Sequence, residues 1–185
     1  MEWTSRDWVG VFGKAYSGKS YFIHKHLEKL PKSRKTYVYD FAHDYADLAK
    51  KSNIMVYAVK HGTQEEIEEF IQLVYKEGNC TVVLSESDNY LQMTSPVLLA
   101  FVTTGRNRGI NCILDGKRPM AVKPSYRGRF NRLVLFATQL PADLEYLEDW
   151  CGTEKGGMDV LRTLETGQFI EVDLDKQIIS GVKKL

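Results

Sequence analysis

A glycine-rich segment near the start of the chain constrains its fold more than any other feature. Residues 13–20 match the phosphate-binding pattern G-x-x-x-x-G-K-S/T at every fixed position. The apolar run at 7–12 before it predicts a short strand, and residues 21–27 after it predict a helix. Because a loop that opens a helix points its N–H groups at phosphate oxygens, this setting predicts a nucleotide site. The alternative is a glycine-rich turn that matches by chance, which the strand–loop–helix context disfavours.

Roles within the loop follow from the same chemistry. Lys19 is expected to reach the β- and γ-phosphates of ATP, and the Ser20 hydroxyl is expected to ligate Mg²⁺. Glycines allow the backbone to curl so that several N–H groups approach the phosphates. The expected nucleotide-binding residues are Gly13, Lys14, Ala15, Tyr16, Ser17, Gly18, Lys19, Ser20 and Tyr21.

The bulk properties predict one globular domain over residues 1–185. Hydrophobic residues make up 43% of the chain and charged residues 26%, which is typical of a folded protein rather than a disordered one. No apolar run in the sequence reaches the roughly 18–20 residues that a membrane-spanning helix needs. The formal net charge is +1, so any contact with nucleic acid must come from a local basic patch.

Apolar runs alternate with helical patterns along the chain. The helix at 64–77 is the clearest, since its apolar residues recur at i, i+3, i+4 and i+7 from Ile67. Near-continuous apolar strands separated by helices favour an α/β fold with a mainly parallel sheet flanked by helices. Two segments at the end, 167–173 and 177–182, predict a β-hairpin. The predicted strands are 7–12, 36–39, 54–59, 80–84, 110–114 and 132–136, and the predicted helices are 19–30, 43–51, 64–77, 95–107 and 141–151.

Nucleotide hydrolysis also needs an acidic group at the end of a neighbouring strand. The apolar strand at 80–84 is followed by Ser85 and Glu86, whereas the usual pattern continues with Asp and then Glu. Glu86 is therefore expected to polarise the attacking water, and Asp88 is the candidate to replace the carboxylate missing at Ser85. The expected metal-site residues are Ser20, Glu86 and Asp88. The alternative is a strand that ends in a polar turn.

Several segments, in order along residues 7–182, resemble the motifs of the FtsK/HerA superfamily of DNA-pumping ATPases. The short length resembles the genome-packaging ATPases of tailless, membrane-containing viruses of bacteria and archaea. Two residues depart from the pattern, because Ser85 replaces an Asp and Lys117 replaces a sensor glutamine. The matching segments are the second-strand motif at 37–45, the arginine-bearing helix end and strand at 105–114, Arg118 with Pro119, the strand and helix at 131–136 and 143–147, and the start of the closing hairpin at 164–169.

This resemblance implies a P-loop NTPase fold of the RecA and FtsK/HerA type, with a C-terminal β-hairpin. It implies an ATPase that uses ATP and Mg²⁺ and acts as a homo-oligomeric ring to translocate double-stranded DNA in viral genome packaging. A viral capsid or membrane vertex protein would be a further partner. The expected location is the cytoplasm of the infected host cell, with association at the packaging vertex of the virion.

The resemblance also implies that Arg106 or Arg108 is an arginine finger, which completes the ATP site of a neighbouring subunit. With Lys19 and Glu86, these arginines form the expected catalytic set. The alternative is that two arginines at a helix C-terminus complement the helix dipole.

The basic loop at 117–129 supplies the expected DNA contacts. Lys123, Arg127 and Arg129 are candidates to grip backbone phosphates in a central channel. A solvated basic loop is the alternative.

Three other classes of protein fit the phosphate-binding loop. One is a small-molecule kinase of the nucleoside or nucleotide type, although no segment reads as a convincing lid. Another is a non-motor phage assembly ATPase, although such proteins usually carry a membrane span. The third is a nucleotide-binding structural protein, which the residues at Ser85 and Lys117 suggest.

Overall fold

A computed structural model describes residues 7–90 and 95–185 of the chain. The central sheet is built from the strands β1 (Trp8–Phe12), β2 (Thr36–Asp40), β3 (Ile54–Ala58), β4 (Thr81–Leu84), β5 (Asn111–Gly116), β6 (Arg132–Phe136), β7 (Gln168–Asp173), β8 (Ile178–Ile179) and β9 (Lys183–Lys184). Their order in space is β3-β2-β4-β5-β1-β6-β7-β8, and β9 also pairs with β7. The six strands from β3 to β6 in this order are parallel, whereas β7 is antiparallel to β6. The expected mainly parallel α/β fold is confirmed.

Helices cover both faces of this sheet. The helices are α1 (Lys19–Lys29), α2 (Gln64–Glu77), α3 (Pro96–Thr104), α4 (Pro124–Arg127) and α5 (Pro141–Cys151). On one face α2, α3 and α5 pack over Trp8 and Phe12, and on the other face α1 packs over Val9 and Val11. Alternate residues of β1 therefore point into two different cores, as a strand buried on both sides requires. Within residues 7–90 and 95–185, no helix has the length and apolar character to cross a membrane.

Two predicted helices differ from the structure. The helix expected at 43–51 is wrong, since the segment forms a short 3₁₀ turn at Ala46–Lys50. The Asp40 carboxylate accepts the N–H groups of Asp44 and Tyr45, both at 3.0 Å, and this turn replaces the first turn of an α-helix. The helix expected at 95–107 ends at Thr104 and continues as a 3₁₀ turn at Gly105–Arg108.

The C-terminal hairpin is present, but its second arm is broken. β8 pairs with the end of β7 and β9 pairs with its start, so residues 180–182 interrupt the arm. The Leu185 N–H donates to the Gly167 carbonyl at 2.9 Å, and the Gly167 N–H donates to the Ser17 carbonyl at 2.9 Å. The end of the chain is thereby attached to the predicted phosphate loop.

Parallel strands place their carboxyl ends at one edge of the sheet. The glycine-rich loop follows β1, Glu86 follows β4, and Asp115 lies near the end of β5. This edge is where open α/β sheets bind ligands. The fold therefore gathers the sequence-predicted loop and the strand-end acids on one side of the molecule.

Candidate functional site

The loop at 13–20 has the backbone curl that its glycines predict. Gly18 has φ 110°, a conformation that favours glycine, and it directly precedes the first residue of α1. A Cβ at Gly13 would lie 2.6 Å from the Cβ of Phe136, so β6 leaves room only for glycine there. The Lys14 N–H donates to the Ala137 carbonyl at 2.8 Å and fixes the start of the loop. The loop therefore presents the N-terminus of α1 to a ligand from a rigid base.

Lys19 and Ser20 begin α1 and face the strand-end acids. The Lys19 side chain is buried, and its ammonium donates to the Lys14 carbonyl at 3.2 Å across the loop. The Ser20 hydroxyl donates to Asp44 Oδ2 at 2.9 Å. Asp44 is in turn held by the Asp40 turn, so β2 positions beside Ser20 an acidic group that is not in the expected catalytic or metal-site sets.

A cavity of about 810 Å³ opens in front of the loop. Its walls come from residues 15–21, from Asp44 and Asp47 after β2, and from Glu86 and Lys117 after β4 and β5. This volume lies within the range of ordinary small-molecule sites. Seven of the nine expected nucleotide-binding residues, 15–21, line this cavity together with Glu86, the expected catalytic acid. Gly13 and Lys14 do not line it.

Glu86, the second residue after β4, lies in a left-handed backbone conformation, φ 49°. Its carboxylate pairs with the Lys117 ammonium at 2.8 Å. Asp88 instead accepts the backbone N–H groups of Lys117 at 2.7 Å and Arg118 at 3.3 Å. Burial raises the pKa of Asp88 above its usual value, while these N–H groups act in the opposite direction. Asp88 thus clamps the loop after β5, and its proposed place in the metal site stays a prediction.

Asp115, near the carboxyl end of β5, is a buried acid that the sequence analysis did not assign to the site. It is 2% exposed, and its Oδ1 has no hydrogen-bond partner within the described part of the chain. Burial raises the pKa of Asp115 to about 7, and the nearby charge of Lys19 acts in the opposite direction. The signal that could have found it is an apolar strand that ends in an acid, the same signal that selected Glu86.

The donor set at this edge fits Mg²⁺. The available groups are the Ser20 hydroxyl and the carboxylates of Asp44, Glu86 and Asp115, and Mg²⁺ prefers oxygen ligands. Among the described residues, no three side chains form a ready-made metal cluster. An ion here would therefore be held largely by nucleotide phosphates and water, as Mg²⁺ commonly is.

The two candidate finger arginines lie at the opposite edge of the sheet, before β5 begins. The Arg108 guanidinium is exposed, donates to the Tyr75 carbonyl at 2.7 Å and lies 4.7 Å from the Tyr75 ring centre. The Arg106 guanidinium is half-buried and donates to the Arg129 carbonyl. Since β5 is about 20 Å long at 3.3 Å per residue, neither arginine reaches the phosphate loop of its own chain.

The basic loop crosses from the end of β5 to the start of β6 and contains α4. Arg127 pairs with Asp149 at 2.7 Å and lies over the Tyr146 ring, so it anchors α4 to α5. Arg129 is exposed, and Lys123 directly precedes α4 and is half-buried. The three DNA-contact candidates therefore differ, because Arg127 already has a structural role.

Solved structures share this fold at low sequence identity. The genome packaging NTPase B204 from Sulfolobus turreted icosahedral virus 2, in complex with ATP-gammaS, has a TM-score of 0.82 at 19% identity, over 99% of this chain and 100% of that chain. B204, the DNA-packaging ATPase from Sulfolobus turreted icosahedral virus, has a TM-score of 0.82 at 20% identity, over 97% of this chain and 98% of that chain. VirB4 of Thermoanaerobacter pseudethanolicus has a TM-score of 0.71 at 8% identity, over 100% of this chain and 91% of that chain.

At the level of sequence, no family model and no curated protein matches the chain. The likeness is therefore one of fold, and it extends over nearly the whole chain. The chain has the P-loop NTPase fold that its sequence predicted, and the viral packaging NTPase B204 adopts a similar fold.

Proposed function

We propose that this chain is an ATP-hydrolysing motor subunit that translocates double-stranded DNA in viral genome packaging, as a homo-oligomeric ring. The observation that carries the proposal is the cavity in front of residues 13–20, where Lys19 and Glu86 converge. The fold supports it, since B204 is described as a DNA-packaging ATPase and was solved with ATP-gammaS and AMPPCP.

The chain's own residues can perform the steps of hydrolysis. The N-terminus of α1 and the Lys19 ammonium bind the phosphates. Glu86 orients the attacking water and accepts its proton, and Lys117, 2.8 Å from Glu86, supplies positive charge beside the γ-phosphate position. Mg²⁺ held beside Ser20 would neutralise phosphate charge. A strand-end acid and a lysine thus meet at one point of the cavity.

A ring arrangement would complete this site with an arginine. Arg108 is the better candidate, because its guanidinium is exposed and is held by a carbonyl and an aromatic ring rather than by a carboxylate. Its full positive charge is available to a neighbouring subunit. Arg106 is half-buried, and its guanidinium donates to the Arg129 carbonyl, so less of it is open to a partner.

DNA contact would come from the loop at 117–129. In a ring, copies of Lys123 and Arg129 would add their phosphate contacts in one channel, so affinity should fall steeply with salt and show little sequence preference. The proposed setting is the infected host cell, with a capsid or membrane vertex protein as the docking partner.

ATP turnover with and without duplex DNA tests this function. Duplex DNA should increase turnover, and the double variant Lys123→Ala/Arg129→Ala should lose most of that increase. Arg127 is kept in this variant because its pair with Asp149 anchors α4. The variant Lys155→Ala/Lys176→Ala removes equal charge elsewhere and should keep the increase. Phosphoryl transfer to a nucleoside monophosphate, with no response to DNA, would instead identify a small-molecule kinase.

A further inference from the structure

The carboxylate missing from β4 has a counterpart on the next strand. β4 and β5 pair in parallel with Leu84 opposite Leu114, so the residues that follow, Ser85 and Asp115, lie side by side. Adjacent strands are about 4.8 Å apart, so the Asp115 carboxylate lies one strand away from the position where the usual pattern has an acid. β5 also pairs with β1, the strand that leads into the phosphate loop, with Val11 opposite Asp115.

Both side chains project from the same face of the sheet as α1. Val83 and Ile113 belong to the core beneath α1, and residues two positions further along a strand face the same way. Asp115 therefore points toward the helix that begins with Lys19 and Ser20, and its pairing with β1 places it nearer to the phosphate loop than Ser85.

The surroundings of Asp115 leave its carboxylate available to a ligand. Its Oδ1 is buried and has no hydrogen-bond partner in residues 7–90 and 95–185. The charge of Lys19 acts on Asp115 favourably, while Asp44, Glu86 and Asp88 oppose its ionisation. A buried carboxylate among other acids is costly unless positive charge approaches it. A divalent cation bound with the nucleotide would supply that charge.

Asp88 is the other candidate to replace the acid absent at Ser85, but its carboxylate already accepts hydrogen bonds. Both of its oxygens accept backbone N–H groups from the loop after β5. The Ser85 hydroxyl is also engaged, since it accepts the N–H of Phe41 at 3.3 Å at the end of β2. Of the three residues, Asp115 is the one with a free buried oxygen.

We propose that Asp115 replaces the acid absent at Ser85, and that it positions the Mg²⁺ of the bound nucleotide through a water molecule. Asp115 is a positioning residue in this scheme, and the scheme rests on the proposed nucleotide site. The carboxylate that positions the metal would then come from β5, beside the phosphate loop. Glu86, which activates the water, would still follow β4.

The test compares the affinity of ATPγS in Mg²⁺ and in EDTA, measured by calorimetry, so that turnover plays no part. In the parent, Mg²⁺ should tighten binding. Asp115→Asn should reduce this Mg²⁺-dependent gain by about 10- to 100-fold, as outer-shell metal partners do, and should keep the affinity in EDTA. Asp173→Asn is the matched control, because Asp173 is also buried but lies at the far edge of the sheet.

A rescue variant guards against misfolding. Ser85→Asp combined with Asp115→Ser returns the acid to β4 and should recover the Mg²⁺-dependent gain with a parental melting curve. An Asp115→Asn protein that keeps the full gain overturns the inference, as does loss of the gain in Asp88→Asn alone. If the parent protein does not bind ATPγS, or binds it with the same affinity in Mg²⁺ and in EDTA, the proposed function itself is overturned.

Discussion

Lys117 gives the candidate site an unusual balance of charge. It stands where the resemblance expects a sensor glutamine, and it holds the Glu86 carboxylate at 2.8 Å while Asp88 binds its N–H. The pair with Glu86 raises the pKa of Lys117, so the side chain is charged throughout the physiological range. A γ-phosphate would compete with Glu86 for this ammonium. Lys117 therefore lies beside Glu86, the residue that follows the other departure at Ser85.

Lys19→Ala should abolish ATP binding and hydrolysis without unfolding the domain. Its ammonium donates to the Lys14 carbonyl, a backbone group of the phosphate loop, so the substitution removes positive charge from the site and little packing from the hydrophobic core. ATP turnover should fall by at least about a hundredfold, as it does when one preorganised donor to the transition state is lost, and ATP affinity should fall with it. Lys29→Ala, in the last turn of the same helix, should bind ATP normally. A folded Lys19→Ala protein with parental affinity would refute the phosphate-loop assignment.

Glu86→Gln should retain ATP binding but slow hydrolysis by about 10²–10⁴-fold, because an amide cannot accept the proton of the attacking water. Single-turnover kinetics with radiolabelled ATP measures the chemical step directly. If the variant hydrolyses ATP at the parental rate, the catalytic acid lies elsewhere, and Asp44 at 2.9 Å from Ser20 becomes the next candidate.

Single elements were predictable where local pattern and tertiary packing agree. α2 begins and ends as predicted, at Gln64 and Glu77, because its apolar period is regular and Thr63 caps it by accepting the Glu66 N–H. The segment at 43–51 has helix-forming residues but starts from the Asp40 turn, which depends on where β2 ends. Asp115 was missed for a similar reason, since its meaning depends on β5 lying between β4 and β1.

α1 carries a histidine that makes stability depend on pH. Burial lowers the pKa of His26 from 6.5 to about 4, and Lys29 acts in the same direction. Protonation therefore favours the unfolded chain, so this contribution to the free energy of unfolding is present above pH 6.5 and is lost as pH falls toward 4. Calorimetric melting should show a smaller acid-side loss for His26→Gln than for the parent. The exposed His61→Gln variant should follow the parent, and equal losses in all three proteins would contradict the assignment.

At the scale of the whole molecule, the proposed functional residues lie at two opposite edges of the sheet. The cavity lies at the carboxyl ends of the parallel strands, and Arg106 and Arg108 lie at the amino end of β5. A single chain cannot bring these edges together, whereas a ring can place the arginine edge of one subunit against the cavity of the next. The proposed ring would therefore build each site from two subunits.

Arg108→Ala should lower ATP turnover by about 10³–10⁵-fold while nucleotide affinity is largely kept. Mixing it with Glu86→Gln should restore part of the activity, because some interfaces then pair an intact Glu86 with an intact Arg108. Turnover across mixing ratios measures this rescue, and Arg106→Ala gives the comparison between the two arginines. A mixture that stays inactive, or parental turnover per subunit that is independent of protein concentration, would count against a shared site.

Movement along duplex DNA is tested directly by displacement of a third strand. A triplex-forming oligonucleotide is annealed to one site on a long duplex, and its release is followed by fluorescence after ATP is added. The proposed motor should release it with ATP but not with ATPγS, and Lys19→Ala should release none. DNA-stimulated ATP hydrolysis with the third strand fully retained would contradict translocation.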